Sequence, residues 1–241
     1  IYTLSLHDAL PISTSAMKAL TRYCSDKGEF GGYRYIDMPV PECGPDDVII
    51  RVKAAAICGA DMKHWYADLD GSNSSDELNS IRGHEFSGVI VKLGENVSGW
   101  KVGQRVVSDN SGRACGTCPA CEKGDFMLCE HKSGLGLDNN YKSFGGSGGF
   151  TKYAKIPGGI LRLHPHAIWE IPEGVKYEEA AVLDPISNAY NAIAQQSSLL
   201  PGQDVVVFGT GPLGLFSVQV ARIMGARSEE HTSELQSPTS I

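Results

Sequence analysis

Positive charge is in short supply. The 241 residues carry 21 Lys and Arg against 28 Asp and Glu, a net charge of −7. That balance argues against nucleic acid as the main partner, because phosphate binding needs a basic surface. Long apolar runs are missing as well. The longest uncharged stretch, Val205–Ala221, is too short and too broken by Gly and Pro to span a bilayer. Ile1–Ser13 lacks the basic start and unbroken apolar stretch of a secretory leader, and no internal repeat is present. Seven Cys are too few for a disulfide scaffold of this length. Four of them are tightly clustered, which in a chain with no export signal reads as metal binding, and a cytoplasmic location is expected. What remains is 41% apolar and 20% charged, the composition of a globular chain with room for one large or two small domains. The 28 Gly predict many turns and close backbone approaches.

The two ends differ from the middle. Ile1–Ser13 (IYTLSLHDALPIS) and Arg227–Ile241 (RSEEHTSELQSPTSI) both resemble translated short-read sequencing adapters, over Thr3–Ser13 and Arg227–Ser237. They are set aside as foreign-looking tails. Dropping Asp8 from one end and Arg227, Glu229, Glu230 and Glu234 from the other leaves 20 basic and 24 acidic residues, a net charge of −4. Met17 then reads as a natural start, and the gene fragment is expected to be truncated after Ala226.

Between the tails, strands are expected at Met17–Tyr23, Tyr33–Met38, Asp47–Ile57, Glu85–Leu93, Gly103–Ser108 and Phe150–Ile156. Gly71–Ser80 reads as a polar loop, and Ser143–Gly149 as a Gly-rich turn with a weak case for phosphate binding, since no helix start follows. After Pro172 the pattern changes. Tyr177–Ala194 is expected to be helical, with Glu178 and Glu179 in its first turn and a kink or break at Asp184–Pro185. Val205–Phe208 reads as a buried strand and Leu213–Met224 as a helix. The fold class is therefore mixed: a β-rich domain followed by the beginning of an α/β domain. The expected division is 1–13 (tail), 14–176, 177–226 and 227–241 (tail).

Three constellations carry chemistry. Cys115, Cys118, Cys121 and Cys129 can close tetrahedrally around Zn²⁺ with no position left for substrate. An iron–sulfur cluster is the rival, but the common cluster run has a gap of three before its last Cys and a following Pro, whereas here the gap is seven and Glu130 follows. Cys24 and Cys43 read as ordinary thiols. Cys58 with His84 and Glu85 supplies the sulfur, imidazole and carboxylate of a catalytic zinc site that keeps a position open. Asp184 is a candidate fourth ligand or outer neighbour, equally readable as a helix-breaking turn. Asp61 is placed to accept the other N–H of His84 and fix its tautomer. Gly209-Thr-Gly211-Pro212-Leu213-Gly214 follows an expected strand and opens an expected helix, the setting a dinucleotide-binding turn requires.

These motifs, in this order, resemble the zinc-dependent medium-chain alcohol dehydrogenases over Met17–Ala226. The family signature G-H-E-x2-G-x5-G-x2-V stands as Gly83, His84, Glu85, Gly88, Gly94 and Val97. The resemblance implies a GroES-like catalytic domain carrying two Zn²⁺, then a Rossmann domain binding NAD or NADP. It also implies hydride transfer from a secondary alcohol, with a polyol as first expectation. In that scheme Cys58 and His84 match catalytic zinc ligands, Glu85 matches the nearby carboxylate that ligates directly or swaps with water, and Gly209, Gly211, Pro212, Leu213 and Gly214 match the cofactor turn. Asp184, in an Asp-Pro…Asn-Ala stretch similar to that of threonine 3-dehydrogenases, raises amino-alcohol oxidation as the alternative. Partners are expected to be small alcohols, with no nucleic acid or membrane, and the parent a homo-oligomer.

Some positions depart from the family. Ala60 stands where Ser or Thr usually relays the substrate proton, so Lys63 or His64 acting through water is the candidate replacement. Gln104 replaces the usual Asp of G-D-R-V. The acidic ribose partner would fall in the foreign tail, so the 241-residue chain is expected to be an inactive fragment. A zinc-lobe interaction module built on Cys115–Cys129 is the non-enzymatic alternative; it leaves Cys58, His84 and the Gly turn unexplained.

Overall fold

The computed structural model describes residues 12, 15–24, 30–62, 81–109, 115–131, 148–158, 161 and 167–227. Lys63, His64, the 71–80 loop and most of both tails lie outside them. The chain divides into two compact units, 1–184 and 185–241.

The first unit is built on antiparallel strands. β1 (Ala16–Cys24) and β2 (Phe30–Pro39) form a two-stranded sheet. A second sheet contains β3 (Val48–Ala56), β4 (Glu85–Leu93), β5 (Arg105–Ser108), β6 (Tyr153–Ile156) and β7 (Ile168–Glu170), in the order β6-β3-β4-β5-β7. Period-two alternation explains its two buried faces. Val48, Ile50, Phe86, Ile90, Val106, Ala154 and Ile156 pack together on one side. Ile49, Val89, Val91 and Tyr153 pack with Met17, Ala19 and Met38 on the other. Ile12 also packs there.

All six expected strands of this unit form, within a few residues of their expected ends. β7 was not expected; three residues ending in Trp169-Glu170 are too short for periodicity to show.

Glycines of the G-H-E signature occupy positions where a side chain has no room. Gly83 has φ +92° and lies against the Phe150 ring, which a Cβ would meet at 2.7 Å. A Cβ on Gly88 would sit 2.1 Å from the Arg51 carbonyl oxygen across the β3–β4 ladder, and one on Gly94 2.2 Å from that of Pro45. Gly88→Ala is therefore expected to force β3 and β4 apart, costing about 3 kcal/mol, the upper end for overpacking. A denaturant midpoint equal to that of the unsubstituted chain would contradict this.

Beyond β7, the expected single helix is two. α1 (Tyr177–Ala181) ends at Val182, and α2 (Leu183–Tyr190) begins one residue later. The break falls before Asp184–Pro185 rather than at it. Pro185 sits in the first turn of α2, where its missing N–H has no intrahelical partner to lose. Asn191–Gln196 continues as a π-helical turn.

In the second unit α3 (Pro212–Ile223) forms as expected. The expected strand Val205–Phe208 does not. Only an isolated bridge, Asp204 to Arg227, occurs there, with a two-pronged ion pair between the same residues. A parallel strand needs neighbours to pair with; among the described residues this segment has none, and Phe208 is 91% exposed. No helix among the described residues is long and apolar enough to cross a membrane.

Candidate functional site

β3 delivers the chain to Cys58, and residues 59–62 turn into a helix immediately after it. Asp61, three residues on, reaches back: its Oδ2 accepts the Cys58 N–H at 2.9 Å. This is the returning half of a capping box, and it fixes the backbone that presents the thiol.

His84 enters from a second direction. Gly83 turns the chain, its carbonyl accepting the Gly149 N–H at 2.6 Å, while the Arg82 carbonyl accepts the Phe150 N–H at 2.9 Å. Gly148 and Gly149 are thus close-packing glycines. A Cβ on Gly148 would meet the Ile81 carbonyl at 2.3 Å, and one on Gly149 the Phe86 ring at 2.5 Å. Of the Ser143–Gly149 turn, for which phosphate binding was a weak expectation, residues 143–147 lie outside the described residues. The His84 carbonyl accepts the Ser108 hydroxyl at 3.3 Å.

The two routes converge. One ligand atom each from Cys58, His84 and Glu85 lies within 4.8 Å of the others. Nε2 of His84 is 3.9 Å from Glu85 Oε1, and its Nδ1 is 3.8 Å from Asp61 Oδ1. That last separation exceeds a hydrogen bond. Both atoms are buried and, among the described residues, have no hydrogen-bond partner. Asp184 is not among the mutually close ligand atoms, but its charge acts on Glu85. Burial is the main cause that pushes Glu85 up, joined by Asp184 and Asp61 and opposed by the Cys58 thiol and His84. Burial also raises Cys58, against the Ala60 N–H, with Glu85 and Asp61 adding to the rise.

The donor set fits zinc. Sulfur, imidazole and carboxylate are its ligands, and bonds of about 2.0–2.3 Å leave neighbouring donors roughly 3.4–3.8 Å apart, a spacing within reach of donors already no more than 4.8 Å from one another. A cation would also relieve the crowding of Cys58, Glu85, Asp61 and Asp184.

The four clustered Cys converge too. The Sγ atoms of Cys115, Cys118, Cys121 and Cys129 all lie within 4.8 Å of one another. A one-turn helix, Pro119–Glu122, and a 3-10 turn, Phe126–Leu128, hold them. Backbone N–H groups point at sulfur: Thr117 and Cys118 donate to Cys115, and Cys115 and His131 to Cys129, at 3.3–3.4 Å. Donation by Thr117 leads in lowering the Cys115 thiol to about 6, while burial pushes Cys121 up. With four sulfur donors, a metal held here would have every coordination position filled by protein.

The matching family model, "Alcohol dehydrogenase GroES-like domain", covers residues 44–165, half of the chain, and includes both clusters. The chain belongs to this family. Its GroES-like domain lies in the sheet of β3–β6 and the Cys115–Cys129 lobe.

Among curated relatives, it is 67% identical over 210 residues to the zinc-type alcohol dehydrogenase-like protein YdjL of Escherichia coli K12, covering 87% of this chain and 56% of that protein. It is 35% identical to the L-threonine 3-dehydrogenase of Chelativorans sp. BNC1, over 89% of this chain and 56% of the relative. A solved alcohol dehydrogenase from E. coli CFT073, with NADH bound, superposes with a TM-score of 0.68 at 30% identity, covering 88% of this chain and 55% of that one. The chain thus spans about half the length of the curated relatives it matches.

In the second unit, each glycine of the Gly209–Gly214 turn has a distinct setting. Gly209 has φ +101°, and a Cβ on Gly214 would meet the Gly209 carbonyl oxygen at 2.0 Å. Gly211, the N-cap of α3, has nothing within 4 Å of a Cβ. Pro212 and Leu213 open the helix. Among the described residues nothing crowds Gly211, and a helix N-terminus opened by such a turn suits a pyrophosphate.

Sequence reasoning missed Ser87, Arg105 and Ser108. A lone hydroxyl or Arg on a strand carries no pattern of its own. The Gly148–Gly149 pair beside a strand was a readable signal of close backbone approach.

Proposed function

We propose that this chain contributes the metal-holding part, and the opening of the dinucleotide-binding part, of a zinc-dependent alcohol dehydrogenase acting on a secondary alcohol. The convergence of Cys58, His84 and Glu85 carries the reading. They come from two separate stretches of chain, and a structural role would not require a thiol, an imidazole and a carboxylate to meet inside the protein. Residues 14–176 would hold the metals and 177–226 begin the NAD(P) domain.

In this scheme Cys58 and His84 hold the catalytic ion and Glu85 completes or flanks the set. Asp61 fixes the Cys58 backbone and faces the other nitrogen of His84. A zinc ion held there would supply Lewis acidity toward the substrate hydroxyl, and bound NAD(P) would supply the hydride acceptor. Ala60 has no hydroxyl, so the proton leaves by another path, for which Lys63 and His64 are the candidates. The Gly209–Gly214 turn and the first turn of α3 take the pyrophosphate.

A polyol is the first substrate class. Amino-alcohol oxidation is the second, favoured by the threonine 3-dehydrogenase relatives and by Asp184. A substrate panel on a full-length version, with sorbitol-type polyols against threonine, separates them by kcat/KM.

Metal analysis of the purified chain tests the core claim: two zinc ions per chain are expected, whereas one would favour a lobe-only interaction module. The 241-residue chain is also expected to reduce no NAD(P). A dinucleotide fold needs several parallel strands, and among the described residues the second unit supplies helical segments and a single isolated bridge, Asp204 to Arg227, but no strand. Alcohol-dependent NADH formation by this chain would contradict that.

A further inference from the structure

The segment that leads from β7 to Asp184 is fastened to the metal-bearing sheet by two side chains that take no part in metal binding. The Arg105 guanidinium donates through Nη2 to the Val175 carbonyl, and lies over the Tyr177 ring at 4.8 Å. The Ser87 hydroxyl donates to the Tyr177 carbonyl at 2.6 Å. Both come from one face of the sheet. Ser87 pairs with Val107 and Val89 with Arg105, so Ser87, Arg105 and Val107 share that face, as does Glu85 two residues before Ser87.

Val107 then packs against Ile171 and Ala180, with Val175, Tyr177 and Leu183 closing around them. Glu179 adds a local stop by accepting the Lys176 N–H at 2.8 Å, which sets the start of α1. The result is a short, rigid run: a clamp at Val175 and Tyr177, one helical turn and a half, an apolar anchor at Leu183, and Asp184 next. β4 therefore presents Glu85 to the metal cluster and, two residues later, the hydroxyl that holds the segment ending in the second carboxylate.

We propose that Arg105 and Ser87 are positioning residues that hold the Val175–Asp184 segment, and with it the Asp184 carboxylate, on the sheet face that carries Glu85 of the Cys58–His84–Glu85 metal cluster. The proposal rests on the reading of that cluster as a zinc site. Arg suits the task because its planar fork can hydrogen-bond in its plane while its face stacks on an aromatic ring. Lys at 105 would keep the charge and lose that combination.

The experiment is a Co²⁺ titration of the 241-residue chain, in which thiolate-to-cobalt absorption separates a four-thiolate lobe site from a one-thiolate site. Arg105→Ala is expected to weaken Co²⁺ at the one-thiolate site roughly 10-fold, the lower end for partners outside the ligand shell. Ser87→Ala should weaken it in the same direction by less, and the lobe site should be unchanged in both.

Asp184→Asn provides the decisive background. If Arg105 acts through Asp184, adding Arg105→Ala to Asp184→Asn changes the affinity by less than about twofold, the non-additivity expected of residues acting as one unit. Unchanged affinity in Arg105→Ala, an undiminished loss on the Asp184→Asn background, or a parallel loss at the lobe would each overturn the proposal. If Arg105→Ala does not fold, Ser87→Ala alone and with Asp184→Asn carries the same comparison. A parent chain with no one-thiolate cobalt site would instead overturn the zinc-site reading itself.

Discussion

Replacing His84 by Ala is expected to lower the metal content from two zinc ions per chain to one. In a full-length version of the enzyme it should reduce turnover by roughly 10³-fold or more. The first effect follows from donor count. Cys58 and Glu85 alone leave two ligands where tetrahedral zinc takes three from protein and one from solvent or substrate. The second follows from the several kcal/mol of charge stabilisation that a Lewis acid contributes, at about 1.4 kcal/mol per factor of ten.

His131→Ala is the matched control. The backbone N–H of His131 bonds Cys129 Sγ, and that bond survives loss of the imidazole. Two zinc ions per chain should therefore remain in His131→Ala. Retention of both ions in His84→Ala would remove the catalytic-site assignment, whatever happened to the lobe.

Cys121→Ser should have the largest effect on stability, confined to one place. The Cys115–Cys129 lobe has almost no core of its own: three buried Cys, with Cys115, Ala120 and Phe126 packed around them. Its helix is four residues long, far below the length that holds together unaided. Metal binding at structural zinc sites is worth on the order of 10–16 kcal/mol, and here that binding is nearly the whole reason for the local fold. Loss of one thiolate is expected to release the metal and open residues 115–131 to protease, while the sheet of β3–β6, whose cores lie elsewhere, stays protected. Cleavage at the parental rate in Cys121→Ser would mean that the lobe is held by its backbone turns instead.

The parts legible in the sequence are those governed by local pattern. β-Branched alternation gave β3 and β4 nearly to the residue, and Cys spacing gave the lobe. The three ligand types at Cys58, His84 and Glu85 could be picked out because each sits at the end of an expected strand. What the pattern hid depends on neighbours distant along the chain. Val205–Phe208 has the composition of a buried strand, yet composition does not supply the partners that make a strand. Asp61 was expected to bond His84; its nearer task, accepting the Cys58 N–H, belongs to a turn geometry that only the folded backbone defines. The break in the Tyr177–Ala194 helix was expected at the proline, but a proline within a helix's first turn costs no hydrogen bond, so the chain breaks at Val182 and starts afresh. The clamp of Ser87 and Arg105 on Val175 and Tyr177 links residues 70 to 90 positions apart, beyond the reach of any periodicity.

The two metal clusters differ in how far the chain must travel to assemble them. Cys115 to Cys129 is one short loop, closable as soon as that stretch leaves the ribosome, at a small entropic cost. Cys58, His84 and Glu85 meet only after β3 has paired with β4 and residues 148–150 have returned to lock Gly83. Metal uptake during synthesis should therefore be ordered. The sulfur lobe is expected to load early and independently, and an ion at the Cys58–His84–Glu85 cluster to arrive late, once the sheet exists to receive it.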